Sequence, residues 1–249
     1  MEPTVTRRPR CTVIIPCHNE AGSIGVVLAE LAARAPQLGL EVIVVDDGSG
    51  DGSGALAARY EATVIRHQAR RGYGASIKTG VLAARADLLA TMDADGQHRA
   101  ADLERLLGPA RPDALVLGVR TRTTRQRPPL SRMLVRILAS AVVGRGVPDA
   151  NTGLRVLPRR FVLDHLAELP DGFSLSTTLT YLWVSSGGRV RCVPIQDRAR
   201  LAGATRTRLW RDCWRSTVHL ARLVWRHERP RLRRLAAREA QARTVGSPR

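Results

Sequence analysis

The sequence predicts an α/β fold, a mostly parallel twisted sheet flanked by helices, and three observations carry that expectation. Short apolar runs rich in β-branched residues alternate with helical patterns through the first half of the chain, as strand–helix–strand units do. Three of these runs end in acids: Glu20 after the first, Asp46 and Asp47 on the second, Asp93 and Asp95 after the fourth. In open parallel sheets, ligands bind beyond the carboxyl ends of the strands, so the acids fall where a ligand is expected. Finally, 249 residues with 44% hydrophobic content suffice for a substantial core.

In chain order, CTVIIPC (Cys11 to Cys17) reads as a buried strand and residues 21–35 as a helix. EVIVVDD (Glu41 to Asp47) is a second strand, residues 48–53 a flexible loop, a helix runs to about Tyr60, and Thr63 to Arg66 is a weaker strand. Gly72-Tyr73-Gly74 opens a helix over 75–85. Those glycines either let backbone approach a diphosphate at the helix N-terminus or serve turn and packing, and their spacing alone does not choose. A strand over 88–92, a helix over 100–107 and a strand from Ala114 to Arg120 follow. Residues 121–130 are a basic, Pro-containing loop and 131–143 a helix, with a turn at 149–155 entering a short strand. Helices near 161–166 and over 175–184 precede an alternating strand, Arg189 to Ile195, and a basic loop, 200–206. From Thr207 the chain reads as helix, interrupted at Pro230. The expected organisation is a flexible start (1–10), one α/β domain (11–205), a basic amphipathic helical tail (206–242) and a disordered end (243–249).

The formal charge is +18, and since Lys78 is the only lysine, 39 of the 40 basic residues are arginines. Arg206 onward holds 13 arginines against three acids, a net +10, so the charge is concentrated in the tail. Such a patch suits an anionic membrane, phosphorylated substrates or nucleic acid. No run approaches ~18 uninterrupted apolar residues, so no transmembrane helix is expected. The first ten residues lack the apolar core of a secretory leader. Cys11, Cys17, Cys192 and Cys213 form no C-x-x-C pair and read as reduced thiols without a zinc site.

The stretch Thr91-Met92-Asp93-Ala94-Asp95-Gly96-Gln97-His98 places two carboxylates one residue apart at a strand tip, with Gln97 adding a neutral oxygen. Hard oxygen ligands of this kind suit Mg²⁺ or Mn²⁺ carrying a diphosphate; a solvated Asp-Gly turn is the alternative.

Taken together and in order, TVIIPCHNE, VIVVDDGSGDGS, GYGASIKTG and MDADGQH resemble the family-2 glycosyltransferases of the GT-A fold. Asp149 with Thr152-Gly153-Leu154-Arg155, and Arg200-x-x-Gly203-x-Thr205-Arg206, are similar to the dolichol-phosphate mannose synthase branch. The resemblance spans residues 12–206. It implies that Pro16, His18, Glu20, Val44 and Asp46 hold the base and ribose of a nucleotide-sugar donor. It implies that Asp93, Asp95 and Gln97 bind the metal, with the backbone at Ala94 near the nucleotide. Arg120, Arg132, Arg200 and Arg206 would face donor and acceptor phosphates, Arg155 would join the acceptor arginines, and Asp95, Arg132 and Arg200 would carry the transfer. His18 stands where an aromatic residue is common, and Arg206 where lysine is usual.

The helix after Gly172-Phe173-Ser174 carries no acid. A hydroxyl acceptor needs a base for its proton, whereas a phosphate monoester is already anionic. Many inverting members of that family place a carboxylate base on this helix, so its absence favours a phosphate acceptor, and the resemblance implies a metal-dependent inverting transfer from GDP-mannose or a UDP-hexose to polyprenyl (dolichyl or undecaprenyl) phosphate. The chain would work from the cytosol at the inner membrane face, with its tail on anionic lipid or with a separate membrane subunit. A hydroxyl acceptor, with Asp171 as base, is the runner-up; a sugar nucleotidyltransferase comes next. Nucleic acid is not expected as a partner, because three acidic strand ends would repel it.

Overall fold

The computed structural model describes residues 8–120, 150–196 and 198–201, together with Arg222 and Trp225. Among them, seven strands form one sheet: β1 (Cys11–Cys17), β2 (Leu40–Asp46), β3 (Thr63–Arg66), β4 (Leu88–Thr91), β5 (Ala114–Arg120), β6 (Arg155–Pro158) and β7 (Arg189–Ile195). Their order is β3-β2-β1-β4-β6-β5-β7. Only β6 runs against its neighbours, antiparallel to β4 and β5; the other pairings are parallel. The expected α/β architecture is therefore present.

Helices cover both faces, which is why the strands read as continuous apolar runs. Alternate residues serve opposite layers, following the two-residue strand period. Val13, Ile15, Val42 and Val44 pack under α1 (Ile24–Ala32) and α5 (Ala100–Leu107), with Ala57 of α3 (Ser53–Ala57). Ile14, Ile43 and Val45 face α4 (Tyr73–Ala83), and Leu115, Leu117 and Leu157 continue that layer with two further helices. These are α6 (Arg159–Asp164) and α7 (Leu175–Ser185). Ile24, Val27, Leu28 and Leu31 of α1 fall at the spacing of one helical face. The helix expected over 21–35 is divided: residues 21–23 form a turn, α1 ends at Ala32, and a short α2 (Ala35–Leu38) restarts with Pro36 in its first turn, where the missing N–H costs nothing.

The expected helix 131–143, Arg132, and the basic loop beyond Leu201 with Arg206 lie outside the described residues, as does the tail 206–242 apart from Arg222 and Trp225. No described helix is long and apolar enough to cross a membrane.

Candidate active site

Because β2, β1 and β4 are adjacent and parallel, their three acidic tips arrive side by side at one edge. Reversed β6 brings its N-terminal end to the same edge, with Thr91 opposite Arg155.

The β1 and β2 tips are stitched together by neutral groups. Asn19 takes a left-handed backbone, φ 55°, which asparagine tolerates better than most residues. Its Oδ1 accepts from Gly50 N (2.8 Å), while its own N–H donates to Ser49 Oγ (3.0 Å). Glu20 N donates to Ser53 Oγ (2.8 Å), and Ala21 N to Asp51 Oδ2 (3.0 Å). The loop read from its glycines as flexible is thus tied down at four points. His18 Nδ1 donates to the Asp47 carbonyl (2.8 Å), and half-buried Pro16 lies opposite Val45.

Two expected donor-binding residues lie behind this rim. Val44 is fully buried in the α1-side core and presents no surface to a ligand. In a strand covered on both faces, neither side-chain direction is free for one. Asp46 is 1% exposed, and its Oδ1 accepts from Ser49 N (2.9 Å). Its carboxylate lies so close to Gly54 that any side chain there would collide with it. Asp46 therefore holds the loop from beneath.

Asp47 anchors another turn. It accepts from Arg71 N and Gly72 N, each at 2.8 Å, and pairs with His67 Nδ1 at 2.8 Å, while His67 Nε2 contacts Thr79 Oγ1 at 3.0 Å. Burial opposes the Asp47 charge, but His67 and the two backbone donors outweigh it and hold the carboxyl below its ordinary range. This settles the Gly72-Tyr73-Gly74 question. The N–H groups of Gly74 and Ala75 donate to the Asp171 carbonyl (2.7 and 3.1 Å), and a Cβ on Gly74 would strike the Pro170 carbonyl. The amides of Arg71, Gly72, Gly74 and Ala75 already have partners, so the glycines serve turn and packing, with no phosphate cradle.

At the β4 tip, Asp93 and Asp95 occupy different environments. Burial disfavours the Asp93 charge, but buried His98, with Nε2 3.4 Å from Oδ2, and the positive Arg120 and Arg155 overcome this and lower its pKa. Arg120 ends β5 on the same edge and is exposed. Asp95 goes the other way: burial and the neighbouring Asp93 raise it, against the Gln97 backbone donor (3.0 Å) and Arg200. Tyr73, whose phenol burial and Asp93 push up to about 12, stacks on Phe173 with ring centroids 5.5 Å apart. Gly153 lies directly against the Asp93 carboxylate, leaving no room for a Cβ.

Arg155 departs from its expected place among the acceptor arginines. It is fully buried. Its guanidinium donates to the carbonyls of Thr152, Ser176 and Ala150, and to Thr180 Oγ1 at 3.3 Å. It braces β6 against α7 and supports Asp93 electrostatically from behind, because carbonyls and a hydroxyl consume its donors. The buried Ser176, Thr178 and Thr180 of α7 set this polar patch apart from an ordinary apolar helix face.

Arg200 is at the rim as expected. Its guanidinium pairs closely with Glu20 and lies 3.9 Å from Asp95 Oδ2. It thereby joins the β1 and β4 tips. The segment carrying it is bound to the 95–98 turn: Leu201 N donates to Asp95 O (3.2 Å) and Arg198 N to Gln97 O (3.1 Å). Asp171, the candidate base of the runner-up, forms a close ion pair with Lys78, which also donates to Leu169 O at 3.2 Å.

The donor set fits a hard divalent cation. Among the described residues no three His, Cys, Asp or Glu side chains gather as a metal cage. Mg²⁺ characteristically takes one or two carboxylates and completes its shell with water and substrate phosphate oxygens. Asp93, Asp95 and the Gln97 amide offer that partial set, and the raised Asp95 carboxyl marks negative charge that a cation would relieve.

This edge gathers acidic tips on a mostly parallel α/β sheet with arginines arriving from β5 and the β7 exit. The chain belongs to Glycosyl transferase family 2, whose model matches residues 12–162. An uncharacterised glycosyltransferase of Mycobacterium tuberculosis is 42% identical over 96 residues, 39% of this chain and 41% of that protein. The match thus spans well under half of that relative. Polyprenol monophosphomannose synthase of Mycolicibacterium smegmatis is 30% identical over 221 residues, 82% of this chain and 83% of the relative. Among solved structures, glucosyl-3-phosphoglycerate synthase of Mycobacterium tuberculosis, in complex with Mn²⁺, UDP and phosphoglyceric acid, superposes with a TM-score of 0.72. At 21% identity it covers 88% of this chain and 79% of that one, a likeness that establishes the shared GT-A fold. The chain is similar to the polyprenyl-phosphate sugar synthase branch of the family.

Proposed function

We propose that the protein is a metal-dependent, inverting glycosyltransferase that moves a hexose from a nucleoside-diphosphate donor to a polyprenyl phosphate at the cytosolic membrane face. One observation carries the reading: Arg200 reaches across the edge to both Glu20 and Asp95, so a guanidinium stands directly beside the paired carboxylates. The relative named for polyprenol monophosphomannose synthesis supports the acceptor, and the neighbour crystallised with Mn²⁺ and UDP supports the donor and metal.

Asp93, Asp95 and Gln97 would hold the cation, which when bound would supply Lewis-acid stabilisation of diphosphate charge. His18 and Glu20 line the nucleotide side, on a rim whose shape Asp46 maintains. Arg200 and Arg120 orient the phosphates, since guanidinium groups match phosphate oxygens with paired hydrogen bonds. An oxygen of the acceptor phosphate attacks the anomeric carbon. The new C–O bond forms as the bond to the diphosphate breaks, with inversion, and the nucleoside diphosphate leaves. No base is needed, because the nucleophile is already an anion. Lys78 already occupies Asp171, the base candidate of the runner-up, in an ion pair, and α7 itself carries no acid.

The basic tail supplies membrane contact. Read as a helix at about 100° per residue, the tail would set Trp210, Trp214 and Trp225 on one face bordered by arginines, a pattern suited to the headgroup boundary. Trp225 is 63% exposed.

The test is a donor screen with a short-chain polyprenyl phosphate and Mg²⁺ or Mn²⁺, reading lipid-linked sugar by mass. Product with one nucleotide sugar, and none in excess chelator, is expected. Full turnover in chelator would refute the metal, and transfer to a free polyprenol would refute the phosphate nucleophile.

A further inference from the structure

Arg198 lies two residues before Arg200, on the segment leaving β7. Its Nε donates to Gly96 O (3.1 Å), its Nη2 to His98 O (3.2 Å) and its backbone N to Gln97 O (3.1 Å). Its remaining arm, Nη1, pairs with Glu30 Oε1 of α1 at 2.7 Å. The other oxygen of Glu30 accepts from Ala100 N (3.3 Å), at the start of α5. Three consecutive carbonyls of the turn that carries Asp95 and Gln97 are therefore gripped by one residue, and that residue is fastened to a helix on the far side of the turn.

Every feature of this contact favours orientation over bulk stability. The pair is partly buried, 22% and 28% exposed at the side chains, so solvent screens it only in part. Carbonyl oxygens of successive residues point in directions set by the turn, and Gly96, at φ 77°, supplies the left-handed step that the turn requires. A planar guanidinium reaches two of those carbonyls and a carboxylate at once, which an ammonium cannot do. Gln97 N in turn donates to Asp95 Oδ1 at 3.0 Å, so a rotation of the turn is passed directly to the carboxylate.

We propose that Arg198 is a positioning residue. By fastening the Gly96–His98 turn to Glu30, it aims Asp95 and Gln97 at the cation, and through Leu201 N on Asp95 O it holds Arg200 in the same frame. The inference rests on the donor and metal reading given above. Partners that orient metal ligands from outside the coordination shell typically contribute about 10- to 100-fold in metal affinity.

The experiment is Mn²⁺ titration of the full chain, without donor, followed by the EPR signal of free Mn²⁺, with thermal melting alongside. Arg198→Ala is expected to weaken Mn²⁺ binding about tenfold and to raise the donor KM more than it lowers kcat, while the melting temperature moves by only a few degrees. Arg198→Lys, which keeps the charge and the Glu30 contact, should recover part of the affinity. Should Arg198→Ala melt far below the wild type, Glu30→Ala carries the test, since it removes the anchor and leaves the turn's own residues intact; weaker Mn²⁺ binding is again expected. Wild-type Mn²⁺ affinity in a folded Arg198→Ala or Glu30→Ala variant would overturn the positioning role alone. If the wild type binds no Mn²⁺ either alone or with a nucleoside diphosphate added, the metal reading of the site falls, and this inference with it.

Discussion

Replacing Arg200 by alanine should move two properties of the protein in opposite directions. In the proposed function the guanidinium would, with donor and acceptor bound, be one partner of a largely desolvated charge pair with phosphate. Truncating such a partner costs about 2–5 kcal/mol, which corresponds to roughly 30-fold to several-thousand-fold in kcat/KM. Without ligands the same guanidinium sits against Glu20 and 3.9 Å from Asp95 Oδ2, competing with any cation for that carboxylate. Two unit charges about 4 Å apart interact by about 4 kcal/mol at an effective dielectric near 20. Desolvation and the sharing of Arg200 with Glu20 offset most of that, leaving an expected gain in Mn²⁺ affinity of about three- to tenfold. Arg200→Ala should therefore bind Mn²⁺ more tightly while transferring sugar far more slowly. EPR titration reads the first and mass detection of lipid-linked sugar the second. Unchanged transfer would remove Arg200 from the reaction, and Mn²⁺ binding equal to or weaker than wild type would refute its role as a resident counter-ion.

Four further outcomes follow from the same geometry. Asp95→Asn should abolish Mn²⁺ binding and nearly all turnover, and excess chelator should reproduce the loss. In the wild type, Mn²⁺ affinity should begin to fall, as pH is lowered, above the range of an ordinary aspartate, because the Asp95 carboxyl is raised by burial and by Asp93; a fall only at ordinary aspartate pH would contradict this environment. Gly153→Ala drives a methyl into the Asp93 carboxylate, so it should cost about 1–3 kcal/mol of stability and weaken Mn²⁺ binding, read by melting and EPR. Asp47→Ala strands two backbone donors and His67, at about 1–3 kcal/mol for each buried group left unpaired. Since the Asp47 pKa is lowered in the fold, its stabilisation is complete above the unfolded value near 3.9 and disappears as pH falls through the folded one; the gap in melting temperature between variant and wild type should close in acid.

The strand tips were legible because apolar, β-branched runs end abruptly in acid, and because parallel neighbours must present those ends together. Residues that position the tips were not. Arg198 grips a turn about a hundred residues earlier in the chain, and among 39 arginines nothing local separates it from a solvated one. Its meaning depends on β7 pairing with β5, which brings a late segment beside the β4 tip. Gly153 matters through a contact with Asp93, sixty residues away, which only the reversed β6 creates. Val44 and Arg155 show the opposite error. Both lie inside recognisable motifs, yet the alternation of Ile43, Val44 and Val45 in a doubly covered strand already argued for core. Arg155 lies in a short strand whose central place in the sheet leaves a long cation no route to solvent. The serines and Asp51 of the β2 loop were hidden by its glycines, which signal freedom when read alone although the side chains between them remove it.

Because β6 alone is reversed, β5 leaves the sheet and β6 re-enters it at the same edge, the edge that carries the carboxylates. Arg120, the last described residue before that interval, and Ala150, the first after it, therefore both lie on the site's side of the sheet. The described strands pair without that interval, so its exchange, which would also replace Arg132, is expected to act mainly on what approaches the strand tips. The topology thus separates two tasks: the sheet holds the carboxylates and their supports, and the interval between two ends at that edge is where a change of acceptor is best sought. Grafting the corresponding interval from a relative with another acceptor is accordingly the exchange with which a change of specificity in this protein should start.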